Sequence, residues 1–385
     1  VIDVLVVLPD LRFRGAERST VLLVRGLAER GMSVHVAVAR ADGPLRAEIP
    51  DEVTVHELSR RGMGASLPSL SRLIRRLRPV AVLSALTHAN IVTVVATIVG
   101  GGPAPVVVEH TVFSQVGSRG YRIVLAAAAA AAYRRASCVV AVSAPVADDV
   151  CRAFRLSRDS VRVLPNPIDF DRIGVLATEP ARAPGTPLVV AVGRLAPEKD
   201  YPLLFEAFAL LSHPQAHLLV LGEGPERRIL EGLADSLGLA HRVSLPGHDS
   251  NPYRWMARAA ALVISSHYEG LPTVALEAAY LGVPVVAVDD GYGLEQALRG
   301  EQSVHIVRER DPASLADALG SALGGGVPLL LGGASRTAAS PGARRGDQAL
   351  RYGIEPVSAR FAELLNVVSS VAGSGRYRSG RGGVK

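Results

Sequence analysis

The chain of 385 residues has two cysteines, one tryptophan and only 4% aromatic residues. Two cysteines cannot staple a fold or build a Cys-rich metal site. Cys138 and Cys151 fit small buried apolar side chains of a reducing compartment. The shortage of aromatics weighs against the stacking platforms that hold single-stranded nucleic acid, so nucleic acid is not an expected partner. No apolar run reaches the roughly 20 residues of a membrane span. The best candidate, Ile91 to Val108, is broken by Gly100-Gly101-Gly102-Pro103, and the alanine run 126–132 lies between Arg122 and Arg134. Val1–Leu8 has the length of a strand and is followed by Pro9 and Asp10, unlike a signal peptide. The expectation is a soluble cytoplasmic protein, peripheral at most at the inner face of a membrane.

Carboxylates are missing where they would be most expected. From Leu58 to Ala147 the only one is Glu109, against ten arginines: 60, 61, 72, 75, 76, 78, 119, 122, 134 and 135. That stretch carries +9 while the whole chain carries +6, so the remainder sums to −3. Such asymmetry points to an anionic partner for the N-terminal half.

What is present is ample core material, 48% apolar residues, arranged in a β/α alternation. Val4–Leu8 reads as a fully buried parallel strand. A helix follows over about 16–30, ended by Gly31, then a strand at 34–38. Helices near 69–77, 90–99 and 121–135 alternate with strands 80–84, 105–109 and 138–142. After the proline-rich stop at 164–168 the alternation restarts, with strands 188–192, 217–221, 242–245, 261–264 and 284–288 separated by helices. This predicts an α/β protein of two Rossmann-like, doubly wound domains facing each other across a cleft, with ligands beyond the carboxyl ends of the strands. The expected boundaries are 1–170, 171–355 with a linker near 179–187, a C-terminal helix over 356–371 packing back on the N-terminal domain, and a disordered basic tail over 372–385. Residues 323–346 are rich in Gly, Ala and Ser and receive no assignment.

Two segments carry the chemistry. The loop Val192-Gly193-Arg194-Leu195-Ala196-Pro197-Glu198-Lys199-Asp200 places two cations directly after a strand, an arrangement suited to a diphosphate. The segment from Ser265 to Ala278 follows another strand. Gly270 there permits close backbone approach, and Pro272 suits a first helical turn. The N–H groups of Thr273 and Val274 are then expected to face an anion. Glu269 in the loop and Glu277 inside the helix flank it. Eight residues of helix would set these two about 12 Å apart, beyond a glycosidase pair, so they suit different parts of one extended ligand. Asp169-Phe170-Asp171 mimics a metal motif but sits in the interdomain stop, and Gly222-Glu223-Gly224 lacks the third glycine of a dinucleotide fingerprint because residue 227 is Arg. Neither a G-x-S-x-G elbow nor an H-E-x-x-H helix occurs.

Together these segments resemble the retaining GT-B glycosyltransferases of family 4, in motif style closest to members that transfer amino sugars. Gly193-Arg194 through Glu198-Lys199-Asp200 resembles that family's donor-phosphate loop, and Glu269-x7-Glu277 its signature pair. Leu164-Pro165-Asn166-Pro167-Ile168-Asp169 is similar to its interdomain segment, and Leu245-Pro246-Gly247-His248 through Tyr253 to its nucleotide-side loop. Arg14-Gly15-Ala16-Glu17 resembles its Gly-Gly-Ala-Glu loop, with Arg14 replacing the first glycine.

The resemblance implies a nucleoside-diphosphate sugar donor, UDP-N-acetylhexosamine among the options, and a hydroxyl acceptor. It assigns Arg194 and Lys199 to the diphosphate, Glu277 to the ribose, and Glu269 to donor-sugar hydroxyls. Gly270, Leu271, Thr273 and Val274 would add backbone contacts to phosphate and sugar. Gly15 would admit the β-phosphate, His248 would contact the base through its backbone, and His110 would touch the donor sugar. No metal or other cofactor is expected, because protein cations replace it. Two other readings stay open: a nucleotide-sugar epimerase of similar shape, or a non-catalytic nucleotide-sugar-binding protein. Transfer or donor hydrolysis by purified protein separates them. Leu70, Leu73, Ile74 and Leu77 form an apolar helical face beside Arg72, Arg75, Arg76 and Arg78, with Arg60 and Arg61 upstream. The four apolar residues read as a sheet-covering face, and the expectation for the arginines is docking on an anionic membrane surface, within reach of a lipid-linked acceptor.

Overall fold

The structure is a computed structural model and describes residues 2–59, 61–291, 294–298, 303–324, 348 and 350–373. The chain forms two compact units, Val1–Ile168 with Arg351–Lys385, and Asp169–Leu350. The crossing into the second unit therefore falls two residues before the expected position. The return falls at Arg351, ahead of the expected 356, because Ile168 N–H donates to Tyr352 O at 2.7 Å and holds this segment to the first unit. Of the basic run, Arg60 lies outside the described residues, as do 325–346 and the tail beyond Gly373.

Unit 1 is built on β1 (Val4–Asp10), β2 (Val34–Arg40), β3 (Thr54–Glu57), β4 (Ala81–Ala85), β5 (Val106–Glu109), β6 (Cys138–Ala141) and β7 (Val161–Val163). They form one sheet in the order β3-β2-β1-β4-β5-β6-β7, and every pairing is parallel. The helices are α1 (Gly15–Glu29), α2 (Leu67–Leu77), α3 (Thr87–Gly100), α4 (Arg119–Tyr133) and α5 (Ala144–Phe154). Right-handed crossovers put α1 on one face and α2 to α5 on the other. On that second face α2 packs on α3, α3 on α4 and α4 on α5. The apolar face of α2 is core: Leu70, Leu73 and Ile74 are buried against Leu5, Val7 and Val82. It is therefore not available to a membrane.

Unit 2 opens with α6 (Phe170–Leu176) and carries β8 (Leu188–Val192), β9 (His217–Leu221), β10 (Val243–Gly247), β11 (Ala261–Ile264), β12 (Val285–Val288) and β13 (Val304–Val307). The sheet order is β10-β9-β8-β11-β12-β13, again all parallel. Around it lie α7 (Tyr201–Leu210), α8 (Arg227–Ser236), α9 (Tyr253–Met256), α10 (Thr273–Tyr280), α11 (Leu294–Ala297) and α12 (Pro312–Gly324). Phe205, Phe208, Leu218, Val263 and Leu319 are among the side chains that fill its core. In both sheets the reversal of strand order lies beside the first strand, the position where doubly wound sheets open a crevice for ligands.

The last helix, α13 (Ile354–Gly373), packs on α1 within unit 1. The approach is close enough to require a glycine. A Cβ on Gly26 would stand 2.7 Å from Ile354 Cγ2 and 2.8 Å from Ser358 Cβ. Among the described residues no helix is long and apolar enough to cross a membrane.

Candidate functional site

In unit 2 four strand ends converge. Since β11 pairs directly with β8, the loops that leave their carboxyl ends are neighbours. Lys199, in a short 3-10 turn after β8, donates from Nζ to Glu269 Oε1 at 2.6 Å. Ser266 Oγ donates to the same oxygen at 2.7 Å. The backbone N–H of Glu269 donates to Asp290 Oδ2, 2.9 Å away, from the segment after β12. Arg310, after β13, completes the cluster. Its Nη1 donates to Asp200 Oδ2 at 2.7 Å and to Ser265 O at 2.9 Å, and its Nη2 donates to Ser266 O. One guanidinium thus fixes the loop of Lys199 to the loop of Glu269. Arg194 is exposed, leaving the other end of the β8 loop cationic.

Lys199 and Glu269 were assigned separate ligand groups by resemblance, and the fold brings them together as an ion pair. Glu277 is buried on α10, where the hydroxyl of the fully buried Tyr253 donates to its Oε1 at 3.3 Å. The start of α10 corrects one expectation. The Thr273 N–H is not directed at an anion but donates to Leu271 O at 2.8 Å. The cause is Pro272, whose φ of −76° and ψ of 73° close an inverse γ-turn. Gly270, Leu271, Thr273 and Val274 are all half-buried, and His248 is exposed after Gly247, at φ +98°.

The second glycine loop, Gly222-Glu223-Gly224, has a mechanical role. A Cβ on Gly222 would stand 1.8 Å from Gly193 O, and one on Gly224 would stand 2.1 Å from Leu195 O. The Gly193 N–H donates to Leu221 O, and the Leu195 N–H to Glu223 O, both at 3.0 Å. This loop therefore braces the backbone on either side of Arg194. The Asp169-Phe170-Asp171 motif is a helix start: Asp169 Oδ1 accepts the Arg172 N–H at 3.1 Å as the N-cap of α6. Among the described residues no cluster of three or more His, Cys, Asp or Glu could hold a metal ion.

In unit 1, His110 leaves the carboxyl end of β5. Both ring nitrogens are shut off from solvent and lack a hydrogen-bond partner among the described residues. They border a cavity of about 10 Å³, room for one water, lined also by Ser19, Thr20, Asn166 and Phe361. Burial pushes the ring pKa down to about 4, with Asn166 working weakly the other way, so the imidazole is neutral. Its neighbour Glu109 is fully enclosed. Thr87 Oγ1 donates to its Oε2 at 2.9 Å, Asn90 Nδ2 to Oε1 at 3.1 Å, and the Tyr133 hydroxyl to Oε1. Burial outweighs these bonds and raises the carboxyl to about 7. Gly15 opens α1 and is exposed, and a Cβ there would meet no atom within 4 Å, so the chain itself does not require glycine at that position. Asp10 is buried nearby and held below the usual carboxylate range by hydrogen bonds and charge from Arg12 and by the charge of Arg14, which outweigh its burial.

Arg310, Asp290, Ser266 and Tyr253 are the residues that sequence reasoning did not single out as parts of this site. Ser266 and Tyr253 sat in recognised segments, Ser265–Ala278 and Leu245–Tyr253, without being given a role. Arg310 had a weak signal, a cation at the exit of an apolar run, Val304–Val307, too short and mixed to be read as a strand.

The family model for glycosyl transferases group 1 matches residues 177–327, and that for glycosyltransferase family 4 matches residues 13–172. A Nocardia farcinica protein named D-inositol 3-phosphate glycosyltransferase is 36% identical over 202 residues, which is 48% of this chain and 45% of that protein. The Campylobacter jejuni protein named N-acetylgalactosamine-N,N'-diacetylbacillosaminyl-diphospho-undecaprenol 4-alpha-N-acetylgalactosaminyltransferase is 31% identical over 179 residues, 46% of this chain and 48% of that protein. The matched segments thus span just under half the length of these two relatives. The solved structure of Anabaena HepE in complex with UDP and glucose superposes with a TM-score of 0.74 at 18% identity, covering 95% of this chain and 100% of that one; this likeness is one of fold. Two parallel Rossmann-like sheets, and family models that together account for most of the sequence, lead to one conclusion: the chain belongs to the GT-B glycosyltransferases of the family 4 type.

Proposed function

We propose that the protein is a retaining, metal-independent glycosyltransferase that moves a sugar from a UDP-sugar to an acceptor hydroxyl. The observation that carries this reading is the convergence of Lys199, Glu269, Asp290 and Arg310 at adjacent strand ends of unit 2. Arg194 and Lys199 take the diphosphate, and their charge stabilises the leaving group without a metal. Glu277 accepts from the ribose hydroxyls, its carboxylate oriented by Tyr253. Glu269 accepts from hydroxyls of the donor sugar. When a diphosphate draws Lys199 toward itself, an acceptor oxygen of Glu269 becomes available to the sugar. Departure and attack occur on the same face, and the leaving phosphate takes the acceptor's proton.

The acceptor is assigned to unit 1, and a lipid-linked hydroxyl suits the cationic stretch there. His110 is neutral, but both its ring nitrogens are closed off from solvent, so no direct contact with a sugar hydroxyl is assigned to it. An amino-sugar donor such as UDP-N-acetylhexosamine is consistent with the name of the Campylobacter relative. A thermal-shift screen of nucleotide sugars, followed by mass spectrometry of products, tests the reading. UDP-sugars should stabilise the protein and yield a glycosylated acceptor whose new linkage keeps the donor's anomeric configuration by NMR. Inversion, or stabilisation by no nucleotide sugar, contradicts it.

A further inference from the structure

The outer surface of α3 and α4 is apolar where a globular domain ordinarily turns polar residues to water. Of the thirteen large apolar side chains exposed among the described residues, six stand on these two helices: Val95, Ile98, Val99, Tyr121, Ile123 and Val124, the last 72% exposed. On α3 they fall at spacings i, i+3 and i+4, one stripe of a helix. On α4 the stripe runs on through the exposed Ala127, Ala128 and Ala131. The two helices pack together, and Tyr121 stacks on His88 of α3 with ring centroids 6.0 Å apart, so the stripes share one surface. A contiguous exposed apolar patch of this kind marks an interaction surface.

Its rim is cationic. On one flank α2 turns Arg72, Arg75 and Arg76 outward, and Arg75 Nη2 donates to Val99 O at 3.1 Å, which pins that guanidinium at the patch edge. Arg119 and Arg122 stand at the start of α4, and Arg134 and Arg135 at its end. Arg122 donates to Gly117 O at 2.7 Å and Arg134 to Ala130 O at 3.1 Å; these partners are carbonyls. Among the described residues no carboxylate stands within ion-pair distance of any of these seven arginines. Glu109, the one carboxylate between Leu58 and Ala147, is buried and hydrogen-bonded inside the unit.

We propose that the α3–α4 face is a seat for an anionic lipid bilayer. The apolar side chains enter the boundary between head groups and acyl chains, and the arginines at both ends meet lipid phosphates. Charge decides this occupant over a second copy of the chain, which would bring the same arginines against one another. The surface alone carries the proposal, and it is independent of how the donor is bound.

Flotation of the full chain with phosphatidylcholine vesicles, with and without phosphatidylglycerol, at low and high salt, tests it. The wild type should float only with anionic vesicles and lose binding as salt rises. Ile98→Ser/Ile123→Ser/Val124→Ser should reduce binding at least about tenfold, because three exposed apolar anchors are lost. Arg119→Ser/Arg134→Ser/Arg135→Ser should reduce it by a similar factor. Leu210→Ser/Ile229→Ser, exposed apolar residues of unit 2, should bind as wild type. In Ile123→Trp, the introduced indole should shift its emission to the blue with anionic vesicles, while Trp255 alone in the wild type should not. No wild-type binding at low salt, or full binding by the apolar triple variant, overturns the proposal. So does a wild-type oligomer that the triple variant dissociates in sedimentation velocity.

Discussion

Lys199 and Glu269 neutralise each other across 2.6 Å, so their substitutions should have opposite effects on the diphosphate. Lys199→Ala removes a charge-assisted contact and should weaken UDP by roughly 1.5–3 kcal/mol, on the order of 10- to 100-fold in Kd. Glu269→Gln leaves Lys199 free of its partner, so UDP should bind equally well or more tightly while transfer falls. Calorimetry with UDP and a turnover assay separate the two; weaker UDP binding by Glu269→Gln would mean that the pair acts as one unit on the phosphate.

Buried titrating groups set a second expectation at this scale. Glu109 is raised from 4.5 to about 7, so the stability it contributes is fully present below about pH 4.5 and is lost as pH rises through 7. His110 is lowered from 6.5 to about 4, so stability is lost as pH falls from 6.5, where the unfolded chain gains a proton that the folded chain refuses. The two oppose each other between pH 4.5 and 6.5. In Glu109→Gln the melting temperature of unit 1 should climb more steeply with pH across that window than in the wild type. An unchanged slope would mean that Glu109 titrates normally. The motif-bearing residues were legible because each stood in a patterned strand–loop–helix segment. Arg310 and Asp290 were not, since their contacts are with residues 110 and 21 positions away and leave no local pattern.

Among elements, the central strands were legible and several edges were not. β3, β7 and β13 are edge strands of three or four residues with partly exposed side chains, so they lack the unbroken apolar run that marks β1 or β9. Helix starts depended on turn chemistry that composition does not reveal, as the γ-turn at Pro272 illustrates. Close packing is equally silent until partners are known. Gly26→Ala adds a methyl group where Ile354 and Ser358 stand within 3 Å, and should destabilise unit 1 by about 1–3 kcal/mol. Urea denaturation measures this, and an unchanged midpoint would show that α13 shifts freely to accommodate it. Gly222→Ala should act differently. It pushes on Gly193 O, so UDP binding should weaken several-fold, beyond any loss of stability.

At the scale of the whole molecule, two units of similar architecture differ in charge. The +9 stretch lies in unit 1, while the candidate donor cluster in unit 2 mixes Lys199, Arg194 and Arg310 with Glu269, Asp290 and Asp200. The β/α alternation made the division into two units readable. The return of the last helix to unit 1 was expected, but the element it meets was not, because nothing in its sequence names α1 as its partner. The central claim is that unit 2 binds a nucleoside diphosphate through protein cations and Glu277. Calorimetry of UDP with the wild type, Lys199→Ala and Glu277→Gln, all in EDTA, tests it most directly. The account predicts wild-type binding under chelation and a loss of about tenfold or more in each variant. Binding that appears only with added Mg²⁺, or that neither substitution disturbs, would contradict it.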